Sequence, residues 1–376
     1  RPRSVWAAEP PAAARRLVLG TKPAARYDGA PQSFSAGACP SFPALHSRVT
    51  SPQMSSRSPY PRLVADIGGT NARFGWIAHD GAAIDRIRTL PCAEHATLAD
   101  AVRAYLAGTG LGQPGSMAMG IANPVTGDEI RMTNHHWGFS ISGLQAELGL
   151  QRLVVINDFT ALALALPSLQ PHELRQIGGG SARPQAPIAL IGPGTGLGVS
   201  GLLPAGDQWV ALAGEGGHVT LAASDAREEA IIAVLRERYG HASAERAICG
   251  AGLVALYEAV CQLDGVAATA STPADVSRRA LSGECARSVE AASRFCALLG
   301  SVAGNLALTL GALGGVYIGG GIVPRLGDFL DRSDFRARFE AKGRFQAYLA
   351  QMPVFVIDAS VSPALLGVAR ALDQDL

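Results

Sequence analysis

The sequence predicts an α/β fold, on three observations. From Arg62 onward, apolar runs of strand length alternate with longer amphipathic stretches. The helical stretches carry start and stop residues at their ends. No period of solenoid length recurs along the chain. Taken in order, the runs predicted as strands are Leu63–Ile67, Phe74–Ile77, Met117–Ile121, Leu153–Ile156, Ile188–Ile191, Val316–Ile318 and Val354–Ile357. Between the second and third, Leu98, Val102, Tyr105 and Leu106 share one helical face before Gly108. A further helix is expected to start at Ser224 and run to Tyr239, before Gly240. Thr272-Pro273 opens another, which Gly283 can close. The run Phe295–Leu313 approaches the length of a membrane span, but Ser301, Asn305 and Thr309 interrupt it at helical spacing. It therefore reads as a glycine-rich helix buried inside the protein, and no membrane is expected as a partner.

The first sixty residues stand apart. They hold nine of the 23 prolines and show neither helical nor strand periodicity, which predicts a disordered or non-native extension over residues 1–60. Met54, a few residues before the first strand, is the expected native start; N-terminal sequencing of the native protein checks this. The extension carries eight Lys/Arg against two Asp/Glu, so the formal +1 of the whole chain leaves about −5 on the rest. A mildly acidic body lacks the basic stripe that phosphate neutralisation requires, so nucleic acid is not an expected partner. The cysteines, Cys39, Cys92, Cys249, Cys261, Cys285 and Cys296, contain no C-x-x-C pair. That pattern argues against a zinc site or a disulfide framework and for apolar core thiols in a reducing compartment, with the cytoplasm as the expected location.

Glycine-rich turns follow strands three times: Asp66-Ile-Gly-Gly-Thr-Asn71, Gly192-Pro-Gly-Thr-Gly-Leu-Gly198 and Gly319-Gly-Gly321. Bare backbone lets several N–H groups face an anion closely, so phosphate is the natural guest. Tight hairpins use the same residues, and Asp66 could equally serve an Asx-turn. Two matches to G-x-G-x-x-G, at Gly110 and Gly196, lack the strand-to-helix context of a dinucleotide site, and no P-loop motif is present. In "VVINDFTALALAL", Asn157 and Asp158 stand between an apolar strand and an apolar helix. Either can cap that helix, or an acid there can serve a ligand at the strand's carboxyl end. "GEGGHVTLA" presents Glu215 and His218, and "HASAERAICGAG" offers Glu245; such groups suit a polyhydroxylated molecule. Taken singly, His218 reads as structural and Glu245 as a helix-face residue. "TNHHWGFS" adds Asn134, His135, His136 and Trp137, with no third ligand at a spacing that would support a metal.

In this order "VADIGGTNARF", "NPVTGDEIRMTNHHW", "INDFTALALALP", "IGPGTGLGVS", "GEGGHVTLA", "GHASAERAICGAGLV", "GGVYIGGGIVPR" and "FEAKGRF" resemble the bacterial glucokinase family, within the sugar-kinase and actin-like ATPase superfamily. The resemblance covers residues 61–376. It implies two ribonuclease-H-like α/β domains flanking a deep cleft: a small domain over 61–168, completed by a C-terminal helix in 359–376, and a large one over 169–358. It implies transfer of phosphate from ATP, with Mg²⁺, to the 6-hydroxyl of D-glucose. Asp158 would be the general base, with Asn157, Glu215, His218 and Glu245 on the sugar. Ala65, Asp66, Ile67, Gly68, Gly69 and Thr70 would form a first phosphate turn, Gly194 and Thr195 a second. Gly319, Gly320 and Gly321 would lie near the adenosine, and Asp66 would reach Mg²⁺ through water. The cysteine motif C-x-C-G-x-x-G-C of the zinc-containing relatives is absent after His218, so the resemblance is to the zinc-free branch. No upstream helix-turn-helix region is readable, which disfavours a DNA-binding sugar repressor. A homodimer is implied by the resemblance alone. Another hexose, polyphosphate as donor, or a catalytically idle sugar sensor are the competing readings.

Overall fold

The apolar run at Val64 forms β1 (Arg62–Ile67), and the glycines after it return the chain into β2 (Asn71–Ile77), antiparallel with Ile67 opposite Ala72. In the computed structural model, residues 58–132, 135–358 and 363–374 are described. Residues 1–57 of the extension, with Met54, together with Asn134 and residues 359–362, 375 and 376 of the C-terminal segment, lie outside the described residues. β3 (Asp85–Pro91) joins the outer edge of β2, and α1 (Leu98–Thr109) carries the chain to β4 (Ser116–Ile121), parallel to β1. A small ribbon, β5 (Glu129–Arg131) with β6 (Gly138–Ser140), and α2 (Ile141–Glu147) precede β7 (Arg152–Asn157), parallel to β4. The sheet order is β3-β2-β1-β4-β7.

After α3 (Asp158–Ala165) a second sheet is built from β8 (Leu174–Ile177), β9 (Ile188–Pro193), β10 (Leu197–Ala205) and β11 (Gln208–Ala213). Helices α4 (Ala226–Tyr239), α5 (Gly250–Leu263), α6 (Pro273–Leu281) and α7 (Ala286–Leu310) intervene before β12 (Val316–Ile318). Short helices α8 (Ile322–Leu326), α9 (Asp328–Arg332), α10 (Phe335–Glu340) and α11 (Gln346–Ala350) lead to β13 (Val354–Ile357) and then α12 (Ala364–Ala371). The order β11-β10-β9-β12-β13-β8 contains the first sheet's connectivity again: three antiparallel strands, then two more parallel to the first of them. The two glycine turns, β1–β2 and β9–β10, occupy equivalent places in the two sheets.

Helices α3 and α12 lie between the sheets. Val64, Ala118 and Ile156 of the first share a core with Ala161, Leu164, Leu365 and Val368, and with Leu190, Leu202 and Tyr317 of the second. The far face of the first sheet packs Phe74, Met117 and Met119 on Val102 and Tyr105 of α1; that of the second packs Ile191 and Ile318 with Leu256, Phe295 and Leu299. Gly367 of α12 abuts the Ala161 carbonyl of α3 so closely that no Cβ fits between them. The helix α7 is apolar enough and long enough to cross a membrane by composition, with a mean hydropathy of 1.3, but it is packed inside the protein. Its Gly300 and Gly304 face the carbonyls of Phe335 and Phe339 in α10.

Several expectations are corrected. α1 runs past Gly108 to Gly110, whose φ of 67° ends it, and Asp225 rather than Ser224 caps α4. β3 is almost wholly exposed, so it has no apolar run to betray it. Gly192 and Gly198 belong to strands, leaving only residues 194–196 as the turn. Ser58 is buried and donates to the Leu372 carbonyl at 2.5 Å, while Arg62 pairs with Asp373 at 2.8 Å. The last residues of the predicted extension are thus packed against the C-terminal end.

Candidate active site

The first turn of α3 settles which residue caps it. Asn157 Oδ1 accepts from the amides of Phe159 and Thr160, at 2.9 and 3.2 Å, and its Nδ2 donates to the Asn123 carbonyl at 3.3 Å. With the cap supplied by Asn157, Asp158 is the first helical residue, and one of its oxygens accepts from Phe159 N at 2.9 Å. Burial, helped by the neighbouring Asp66 carboxylate and opposed by the stabilising bond from Phe159, pushes the Asp158 carboxyl up to about 6. A carboxyl perturbed in this way at a strand's carboxyl end is a candidate functional group.

That shift has a stability consequence. A carboxyl raised from 3.8 to about 6 holds its proton more tightly folded than unfolded, so its contribution to stability declines as pH rises through that window. Asp158→Asn removes the charge and keeps an acceptor for Phe159 N. The variant is expected to be more stable than the wild type at pH 7.5, by about 1–3 kcal/mol, with the difference vanishing below about pH 4. Urea unfolding of both proteins across this range measures it.

Phe159 fixes where Asp158 sits. Its ring rests on the bare Cα of Gly198, and a Cβ on Gly192 would come within 2.6 Å of its Cζ. Gly319 closes the same seat beside Leu162. Three glycines read from sequence as phosphate-facing thus form the packing surface for the helix that carries the acid. Phe159 itself was missed, because an aromatic at the second position of an apolar helix carries no signal until the facing strands are known.

Both hairpin turns spend amides on themselves. Gly68 N donates to Asn71 O at 2.9 Å, and Gly194 N to Gly196 O at 2.8 Å. Each of these two amides closes its own turn. The space at the Gly194 Cα is open, as close approach of a ligand needs. Gly320, at φ 79°, abuts the Pro193 carbonyl, so the Gly319–Gly321 turn is locked to the start of the β9–β10 turn. Asp66 lies within β1, in register with Arg73 and Gly120, and its carboxylate is 4.0 Å from the Arg73 guanidinium.

Glu215 caps and His218 ends a single helical turn over Gly216–His218, with Glu215 Oε2 3.9 Å from His218 Nε2 and both side chains more than half exposed. Glu245 is in a turn, not on a helix face. Its Oε2 accepts from Leu197 N at 2.9 Å, and its own amide donates to Gly217 O at 2.9 Å. The structure therefore gathers Asp158 with Asp66, and Glu245 with both the Glu215–His218 loop and the exit of the β9–β10 turn. His135 and His136 are engaged locally: His135 Nδ1 accepts from Trp137 N at 3.3 Å, and His136 Nε2 is 3.1 Å from Ala96 O. Among the described residues no cluster of three metal-ligating side chains occurs.

The family model described as Glucokinase matches residues 63–375. A glucokinase of Aromatoleum aromaticum is 61% identical over 318 residues, 84% of this chain and 96% of that protein. A glucokinase of Chromobacterium violaceum is 56% identical, over 84% of this chain and 90% of its own length. Among solved structures, the crystal structure of a glucokinase from an Antarctic psychrotroph is 38% identical, covering 83% of this chain and 98% of that one with a TM-score of 0.76. The two glycine hairpins, the carboxyl-bearing start of α3 and the Glu215–His218 loop thus stand in a chain that belongs to the glucokinase family.

Proposed function

We propose that the protein transfers the γ-phosphoryl group of ATP to the 6-hydroxyl of D-glucose, with Asp158 as general base. The observation that carries the assignment of the base is the division of labour at the start of α3, where Asn157 caps the helix and leaves a partly buried carboxyl with a pKa of about 6. Such a group is mostly ionised at neutral pH and still basic enough to accept a hydroxyl proton. As the sugar oxygen attacks phosphorus, its proton passes to Asp158, the new O–P bond forms, and the bond from phosphorus to the β–γ bridging oxygen breaks, releasing ADP. Asn157, Glu215, His218 and Glu245 hold the remaining sugar hydroxyls in this reading. The β1–β2 turn from Ala65 to Thr70 and the β9–β10 turn at Gly194 and Thr195 hold the phosphates, with Gly319–Gly321 near the adenosine.

The repeated sheet connectivity, with a glycine hairpin in the same place in each half, supports a two-domain arrangement with the nucleotide between the halves. Closure over the substrates would exclude water and limit ATP hydrolysis. Mg²⁺ keeps several waters and needs only one or two carboxylates beside phosphate oxygens, and the partly exposed Asp66 fits that demand. When bound, the ion supplies neutralisation of phosphate charge. A homodimer in the cytoplasm is the setting this reading takes from the family.

A coupled assay for ADP with glucose, ATP and Mg²⁺ tests the proposal. Turnover with glucose is the expected result. Glucose binding without ADP formation would replace the proposal with a sugar sensor, and faster turnover with another hexose or with polyphosphate would change its substrate or donor. Glu215→Ala is expected to weaken glucose binding at least tenfold, since it leaves hydroxyls unpaired. Calorimetric titration with glucose measures this, and unchanged affinity would remove Glu215 from the sugar site.

A further inference from the structure

The residues from Glu245 to Gly250 touch both recognition loops. Glu245 N donates to Gly217 O at 2.9 Å, which fixes the loop carrying Glu215 and His218. The Glu245 side chain accepts from Leu197 N at 2.9 Å, at the end of the β9–β10 turn. Gly250 N donates to Gly194 O at 2.9 Å, at that turn's beginning. A side chain at residue 196 would place its Cβ 2.5 Å from Glu245 Oε2, so Gly196 is the residue that admits the carboxylate to the turn. A sugar ligand alone needs neither of the bonds to the β9–β10 turn.

We infer that Glu245 is a positioning residue for the nucleotide as well as a contact for the sugar: one carboxylate oxygen holds the β9–β10 turn in shape, and the other is left to face the sugar. Sugar occupancy then stiffens the turn, and each substrate tightens the binding of the other, as reciprocal linkage requires. The inference rests on the proposed reading of Gly194 and Thr195 as a phosphate turn.

The discriminating measurement is nucleotide affinity in the absence of sugar, because a residue that only binds sugar cannot affect it. Binding of adenylyl imidodiphosphate with Mg²⁺ is titrated into the full chain, with and without glucose. Glu245→Ala is expected to weaken sugar-free nucleotide binding about fivefold or more and to abolish the tightening by glucose. Glu245→Gln, which retains an acceptor for Leu197 N, is expected to keep sugar-free nucleotide affinity within about twofold of wild type. Gly196→Ala, which displaces the carboxylate without removing it, is expected to behave like Glu245→Ala and supplies the measurement if that variant does not fold. Wild-type nucleotide affinity in both Glu245→Ala and Gly196→Ala would overturn the inference. Failure of the wild type to bind the analogue, or of Thr195→Ala to weaken it, would instead overturn the reading of the turn on which the inference rests.

Discussion

Asp158→Ala is expected to reduce kcat by about 10³-fold or more, while glucose affinity falls far less. General-base assistance contributes about 10²–10⁴-fold, and each tenfold is about 1.4 kcal/mol of barrier. The split between kcat and affinity distinguishes a base from a binding group, since only the base acts mainly in the transition state. The wild type should also show a limb in kcat/KM that rises with pH and levels off above about 6, because the carboxyl must be ionised to accept a proton and burial holds its pKa there. Below that point the rate should fall about tenfold per pH unit. Asp158→Asn should lose this limb along with the rate, although its fold is expected to be more stable at neutral pH. A stable, sugar-binding, inactive Asn variant would show an acid held against the interests of stability for the sake of chemistry. Near-normal turnover in either variant would refute the assigned base.

How far the sequence could lead is clearest at α3. Position alone could not say which of Asn157 and Asp158 caps the helix, because both side chains are good caps. The hydrogen bonds from Phe159 and Thr160 to Asn157 decide it. Apolar runs revealed the strands β1, β2, β4, β7, β9, β12 and β13. They did not reveal β10, whose Gly198 reads as the end of a turn although it admits the Phe159 ring, and whose Gly201 admits Leu310. Glu245 was singled out, but its bond to Leu197 spans 48 residues and leaves no local pattern. Contacts between segments that chain order keeps apart are what the residues alone could not supply.

Gly198 provides the second large effect. An alanine there would drive its Cβ into the Phe159 ring, while the other side of the ring is confined by Gly192 and Gly319. Either β10 bulges or α3 shifts, and a shift of α3 moves Asp158. Overpacking of this kind destabilises by about 1–3 kcal/mol or more, and a displacement of about 1 Å at a reacting group can lower the rate about 10²-fold. Gly198→Ala should therefore lose both stability and kcat, measured by urea unfolding and by the coupled assay. The double variant Gly198→Ala with Phe159→Ala separates packing from ligand contact. If the glycine exists to seat the ring, the second substitution vacates the space the new methyl needs, and the combined loss of stability is smaller than the sum of the single losses. If the glycine instead exists to let phosphate approach, removing the ring relieves nothing: nucleotide KM rises in the single and the double variant alike, and the stability losses add. The contact between the Gly198 Cα and the Phe159 ring predicts the first pattern, because no Cβ can occupy that position while the ring stays where it is.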